Sequence, residues 1–291
     1  MSEGYQALRH GAAWLDLSAR GRIIARGRDR ARFLHNVTSN DIKGLQPGAG
    51  CYAFLLTPQG RIQADLYLWA FQEHYLIDTE PALIEKVRTH ILKYKVADQV
   101  ELEDVTASTT AIGVEGPGAA VALTELGAPV PGEYQHLAWG EDTVAGITET
   151  GQPGVRIYCA SDRVGEITAR LASAGAKLAS AEDARLVRIE NGKPRYGEDI
   201  LETSLPQETR QMHAVSFKKG CYLGQEIVER IRARGHVNRE LVSFTLDSAE
   251  VPAPGSKITV NGAETEVTSA IYSPERAAAV GMGYARVLQR A

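Results

Sequence analysis

Lys219-Gly220-Cys221-Tyr222-Leu223-Gly224-Gln225-Glu226 sets one thiol beside Lys218 and Lys219, just ahead of a helix expected from Gly224 to about Arg232. A thiol acts as nucleophile or metal ligand in its thiolate form. Neighbouring ammonium groups and the positive end of a helix dipole both favour that form. Gly220 and Gly224 permit close backbone approach or a positive φ. The competing reading is a small buried hydrophobe, the usual fate of a single free cysteine. Spacing leaves both readings open.

The bulk properties narrow the class. A chain of 291 residues suits two or three domains with a core large enough for independent stability. Its 44% hydrophobic and 23% charged content is that of a globular protein. With 32 Lys and Arg against 36 Asp and Glu, the net charge is −4, which argues against a general nucleic-acid binder. Cys51, Cys159 and Cys221 lie far apart, and an unpaired odd count points to a reducing compartment. Met1-Ser2-Glu3-Gly4 does not read as the start of a leader peptide, and no apolar run approaches the roughly 20 residues of a membrane helix. The cytoplasm is the expected location. The seven histidines form no metal spacing, so no metal site is expected.

Irregular alternation of strand and helix signals points to an α+β fold. Strands are expected at 22–26, 51–56, 61–69, 74–78, 100–105, 111–114, 142–149 and 155–159. In the third of these, Ile62, Ala64, Leu66 and Leu68 alternate onto one face. Asp29 is the expected N-cap of a helix carrying Phe33 and Leu34, and Pro81 opens a helix ending near Tyr94. Further helices are expected at 162–174 and 181–190, and Gly113-x-x-Gly116-x-Gly118 is expected to turn a strand into a helix. Residues 1–239 form one region of two lobes. Beyond it, 240–291 changes to short strands between Pro and Gly turns, the pattern of a small antiparallel barrel.

Three further stretches carry candidate chemistry. Arg188-Ile189-Glu190-Asn191-Gly192, then Tyr196-Gly197-Glu198-Asp199, Pro206 and Glu208, is a helix end running into a polar loop, where binding groups often sit. Gly60-Arg61-Ile62-Gln63-Ala64-Asp65 ends in a lone carboxylate, and Thr150-Gly151-Gln152-Pro153-Gly154 is a polar turn. Their plainer readings are a solvated connector, a strand-face residue and a loop. Between Phe217 and Arg239, six Lys and Arg face two Glu, with Glu226 and Arg230 placed to pair at i,i+4. That basic segment suits a solvated helix face, an anchor for an anionic ligand tail, or a dock for an acidic partner or RNA. Without interleaved aromatics, direct stacking on nucleic acid is not expected.

The Cys221 block resembles the signature of the YgfZ-type folate-binding proteins, relatives of the glycine-cleavage aminomethyltransferase (GcvT) superfamily. The other stretches are similar to that superfamily's Arg-x-Glu-x-Gly…Tyr-Gly-x-Asp…Pro-x-Glu, Gly-Gly-x-x-Asp-Asp-Leu and Thr-Gly-Glu-x-Gly blocks. The resemblance implies a three-domain ring, two α+β lobes plus the C-terminal barrel, with tetrahydrofolate or a folate derivative at its centre. It implies folate contacts from Asp65, Gln152, Arg188 and Tyr196. It also implies a reactive or ligating Cys221 assisted by Lys219, in a loop shaped by Gly220, Tyr222, Gly224, Gln225 and Glu226. The function it implies is an accessory one, support of iron–sulfur cluster assembly or repair, with cluster enzymes such as those that modify tRNA as partners. Two departures bear on the alternative, a folate-dependent aminomethyltransferase. Ala64-Asp65 keeps one carboxylate of a pair, and Gln152 stands in place of a glutamate, without its charge. Both favour binding over turnover. A thiol redox protein without folate is the third reading.

Overall fold

The computed structural model describes residues 1–287. Helix α1 (Glu3–His10) leads into β1 (Ala13–Asp16) and β2 (Gly21–Arg26), then α2 (Arg30–Val37), β3 (Gly50–Leu56), β4 (Ile62–Ala70) and β5 (Tyr75–Thr79). After α3 (Ile84–Lys93) come β6 (Glu101–Asp104), β7 (Thr109–Glu115), α4 (Ala119–Leu126), β8 (His136–Trp139), β9 (Asp142–Ala145) and β10 (Gly154–Ala160). The last lobe elements are α5 (Val164–Ser173), β11 (Lys177–Ala179), α6 (Ala181–Glu190) and α7 (Gln225–Arg234). The C-terminal strands are β12 (Arg239–Leu246), β13 (Lys257–Val260), β14 (Ala263–Ser273) and β15 (Ala278–Arg286).

These build three sheets. The first has five strands in the order β3-β4-β5-β2-β6, and the second has six in the order β11-β1-β7-β10-β9-β8. The α+β expectation holds. Alternation on β4 works as read: Ile62, Ala64, Leu66 and Leu68 are fully buried in the first lobe's core with Phe33, Leu34 and Ile91. The second lobe packs α4 and α5 on Val114, Val144 and Ile157. The chain crosses between lobes, since β1 pairs antiparallel with β7 and parallel with β11 while β2 pairs with β5 and β6.

Several local expectations are corrected. Asp29 precedes α2, but its side chain makes no cap hydrogen bond there; Oδ2 accepts instead from the Gln99 amide at 2.8 Å. The strand expected at 142–149 stops at Ala145; the next residue, Gly146, packs so closely on Gly132 that an added Cβ would overlap the Gly132 carbonyl oxygen. The small antiparallel barrel expected at the C-terminus is a four-stranded antiparallel sheet that does not close, β12-β15-β14-β13. Four strands, one of only four residues, are too few to close around a side-chain core, so β12 and β13 remain edges. This sheet rests on α6 through Leu186, Ile189 and Ile271. Tyr284 donates to the Asp199 carbonyl at 3.0 Å.

The two large sheets meet at a buried charge cluster. Asp78 of β5 is fully buried; its oxygens receive Arg20 at 2.6 Å, Arg156 of β10 at 2.7 Å and the Tyr158 hydroxyl at 2.6 Å. Burial pushes the Asp78 carboxyl up, but Arg156 and Arg20 outweigh it and hold it at about 2. A carboxyl held below its unfolded value of 3.8 adds stability that is complete above pH 4 and lost as pH falls toward 2. Thermal or urea unfolding between pH 2 and 7 should show that loss. Asp78→Asn should lower stability by about 3–5 kcal/mol at pH 7, because Arg20 and Arg156 stay buried with only Glu80 and Glu149 left to balance them. A variant as stable as the parent would remove Asp78 from this role.

Candidate ligand-binding cleft

A cleft with a volume of about 590 Å³ opens where the first and second lobes face each other. The period of β4 builds one wall: with the even-numbered side chains in the core, Asp65 and Tyr67 point the other way and line the cleft. Tyr52 lies directly across from Tyr67 in the β3–β4 register. Its ring sits 5.0 Å from that of Tyr67 and 5.4 Å from Phe54, and it stacks at 5.4 Å and 24° against His213. Tyr134 from the second lobe approaches His213 at 6.2 Å. The result is an aromatic wall beside a carboxylate, a surface suited to a flat heterocycle with hydrogen-bonding edges.

Asp65 is the chemically distinctive group. The residue is 8% exposed, Oδ2 accepts from the Tyr52 hydroxyl at 2.9 Å, and Oδ1 is buried without a hydrogen-bond partner among the described residues. Burial first, then the nearby Glu80 charge, raises its carboxyl from 3.8 to about 6, against the pull of Arg20 and Tyr52. Asp65 can therefore hold or release a proton near neutral pH. Two other acids of the cleft, Glu80 and Glu149, are committed to guanidiniums. Glu80 takes Arg20 at 3.0 Å and Arg195 at 2.7 Å, and Glu149 takes Arg156 at 3.0 Å. Glu149 is held at about 2, its burial outweighed by Arg20 and Arg156.

Of the four residues that the folate resemblance implies, Asp65, Gln152 and Arg188 line this cleft and Tyr196 does not. The Tyr196 ring is buried in the first lobe's core, with its hydroxyl donating to the Gln63 carbonyl at 2.7 Å. Gln152 is half-buried at the rim, with no hydrogen bond recorded for its side-chain amide among the described residues. Arg188 is 3% exposed and its terminal nitrogens are engaged: one donates to Asp199 at 2.7 Å and to the Lys193 carbonyl at 2.6 Å, the other to Glu198 at 2.5 Å. That leaves Nε as its unpartnered donor. Its evident task is to hold the loop after α6, which presents Lys193 and Arg195 to the cleft. Tyr52, Tyr67, Tyr134 and His213 were not singled out from sequence. The β4 alternation implied Tyr67 through Asp65, but the others come from separate segments that only the fold assembles.

The Cys221 block lies elsewhere. Cys221 is exposed and borders a separate surface cavity of about 450 Å³ with Phe33, Asn36, Tyr94 and Leu223. Lys219 does not serve the thiol as expected: its ammonium is buried and donates to the carbonyls of His35, Thr38 and Asn40, the last two at 2.7 Å. Gly220 has no neighbour within 4 Å of an added Cβ, so close approach does not explain it. Gly224 behaves as read, with φ +83° and a Cβ position 2.6 Å from the Thr57 carbonyl, where α7 abuts the β3–β4 turn. Tyr222 is buried with an unpartnered hydroxyl; Gln225 and Glu226 begin α7, and Glu226 pairs with Arg230 at 2.6 Å. Among the described residues, no group of three His, Cys, Asp or Glu could hold a metal ion, and no helix is long and apolar enough to cross a membrane.

Comparison with known proteins places this geometry. Residues 1–219 match the GCVT N-terminal domain family. The chain is similar to an aminomethyltransferase of Chloroherpeton thalassium, 27% identical over 299 residues, which cover 97% of this chain and 81% of that protein. It is 28% identical over 291 residues to an aminomethyltransferase of Thermus thermophilus, covering 97% and 82%. The crystal structure of glycine cleavage system aminomethyltransferase T from Bartonella henselae shares the fold, with a TM-score of 0.87 at 20% identity, over 98% of this chain and 81% of that one. These matches support the superfamily part of the resemblance and not its iron–sulfur part.

Two substitutions separate structural from ligand roles. A carboxyl raised above its unfolded value makes the charged form a cost: Asp65 destabilises above about pH 6 and no longer does so below about 4. Asp65→Asn should therefore raise stability at pH 8 by on the order of 2–3 kcal/mol, with the gain gone at pH 4. Equal stability of the two proteins at pH 8 would contradict the raised carboxyl. Arg188→Ala should cost about 3–5 kcal/mol in urea unfolding, through the fully buried Asp199 that it leaves without a guanidinium. A fully stable Arg188→Ala protein with weakened ligand binding would return Arg188 to a direct ligand role.

Proposed function

This chain belongs to the GCVT N-terminal domain family, and we propose that it binds a reduced folate in the interlobe cleft and transfers an aminomethyl-derived one-carbon unit there. The observation that carries the proposal is Asp65, a carboxyl with one buried free oxygen, poised near neutral pH beside a wall of tyrosines. The residues fit a pterin-like ring: the aromatic wall offers stacking, Asp65 Oδ1 offers an acceptor or a proton, and the Gln152 amide offers both hydrogen-bond roles at the rim. Tetrahydrofolate, when bound, supplies the nitrogens that accept the one-carbon unit. Asp65 takes up or returns the proton that such a transfer displaces. Tyr52 holds its other oxygen, and the tyrosine wall keeps water from the reacting face. The family names of the relatives, aminomethyltransferases, support the same reading.

A second reading rests on a separate observation. Cys221 is exposed at its own cavity, outside the cleft, where transfer has no use for it. This suits the accessory role: a folate-binding protein whose thiol serves iron–sulfur enzymes or cluster-assembly proteins, with the cleft binding but not turning over.

The two readings separate in one experiment. With tetrahydrofolate and an aminomethylated carrier, the protein should form methylenetetrahydrofolate, releasing ammonia and the free carrier. Asp65→Asn should lower kcat by about 10²-fold or more, and Cys221→Ala should leave kcat unchanged. Folate binding without turnover, coupled to loss of cellular function in Cys221→Ala, would overturn the transferase proposal in favour of the accessory one.

A further inference from the structure

Among the described residues, no carboxylate makes an ion pair or hydrogen bond with the buried Lys219 ammonium. Lys219 is 8% exposed, and its ammonium donates to the carbonyls of His35, Thr38 and Asn40 while lying 4.9 Å over the Tyr222 ring. Burying an ammonium is costly, and burial, opposed by the Asp41 charge, lowers this one to about 8. The three carbonyls belong to the last turn of α2 and the segment that follows it, so the charge gathers a stretch of chain that would otherwise carry unpaired acceptors. Leu223 strengthens the attachment, its amide donating to the Asn36 carbonyl at 3.2 Å.

What that stretch holds in turn is the cleft. The Asn40 side-chain amide donates to the Tyr52 carbonyl at 2.8 Å and to the His213 carbonyl at 2.9 Å. One amide thus brackets the backbones of the two residues whose rings stack on each other at 5.4 Å. Ser39 repeats the tie from the next position, donating to the Ala214 carbonyl at 2.5 Å and accepting from the Phe54 amide at 2.8 Å. Tyr52 then fixes Asp65 Oδ2 and leaves Oδ1 free.

We infer that Lys219 and Asn40 are positioning residues for the ligand cleft: the lysine of the Cys221 block clamps segment 35–40, and Asn40 holds the Tyr52–His213 stack in register beside Asp65. The inference rests on the folate reading for the ligand, but not for the clamp. It assigns the lysine a role that is independent of the neighbouring thiol and needs no chemistry at Cys221.

The test has one arm with ligand and one without. In the free protein, the Tyr52 ring 5.4 Å away should shift the His213 ring protons, so NMR of histidine-labelled protein reads the stack. Lys219→Gln and Asn40→Ala should each move the His213 signals toward the unstacked position, while the adjacent exposed Lys218→Gln leaves them in place. By calorimetry, 5-formyltetrahydrofolate should bind Lys219→Gln and Asn40→Ala about 10-fold or more weakly, a loss of roughly 1.4 kcal/mol, and should bind Lys218→Gln as it binds the parent. If Lys219→Gln fails to fold, Asn40→Ala carries the same two readouts. Unmoved His213 signals in folded variants would overturn the inference whatever the ligand. A parent that binds no folate, with His213 signals that move as expected, would overturn the folate reading and leave the clamp standing.

Discussion

Asp78 stands on one sheet and Arg156 on another, and both are closed off from water where the lobes meet. Neither charge is tolerable there alone, so the two lobes must dock in the arrangement that brings them together, with Arg20 and Tyr158 completing the set. This constraint extends into the cleft floor. Arg20 reaches Glu80, Arg156 reaches Glu149, and Arg195 from the loop after α6 closes on Glu80. Three guanidiniums face three carboxylates, so the floor is charge-balanced without a ligand.

That balance decides which acid can do chemistry. A carboxylate paired with arginine is held ionised through the neutral range and makes a poor base, as Glu149 and Asp78 show. Asp65 borders the same network without a guanidinium in hydrogen-bond contact; its partner is a tyrosine hydroxyl. Burial and Glu80 outweigh the pull of Arg20 and of the Tyr52 hydroxyl, and its carboxyl rises to about 6, into the range where protons move at physiological pH. The structure thus answers one concern raised by Ala64-Asp65. A lone carboxylate does not need a second acid beside it to be tuned, because Glu80 supplies the repulsion from the neighbouring strand's end.

The thiol block and the cleft are two places, not one. Cys221 opens onto its own surface cavity, while the lysine two residues earlier turns inward and holds the backbone that carries Asn40. A motif read as a single unit along the chain therefore divides by direction: its thiol faces solvent at one cavity, and its buried lysine holds the backbone behind another. Expecting Lys219 to activate the thiol treated nearness in sequence as nearness in space, and a flexible four-carbon side chain breaks that equation.

Much of the fold was legible because it depends on local periodicity. The alternation from Ile62 to Leu68 determined which face of β4 enters the core and, by exclusion, that Asp65 faces the other way. The helices over 84–93 and 181–190, and the strand over 154–160, follow from patterns a few residues long. β1 and β11 went unread because a short strand has little periodicity, and theirs is stabilised by partners up to about 160 residues away in the chain. The same distinction applies to the site. By itself the sequence determined the residue types and the strand face of Asp65. Only the tertiary structure decided that Tyr52, Tyr134 and His213 would join it, that Tyr196 and Arg188 would be engaged elsewhere, and that Asp65 would lack a cation. Those outcomes depend on distances and burial between segments remote in the chain, and no local pattern encodes either.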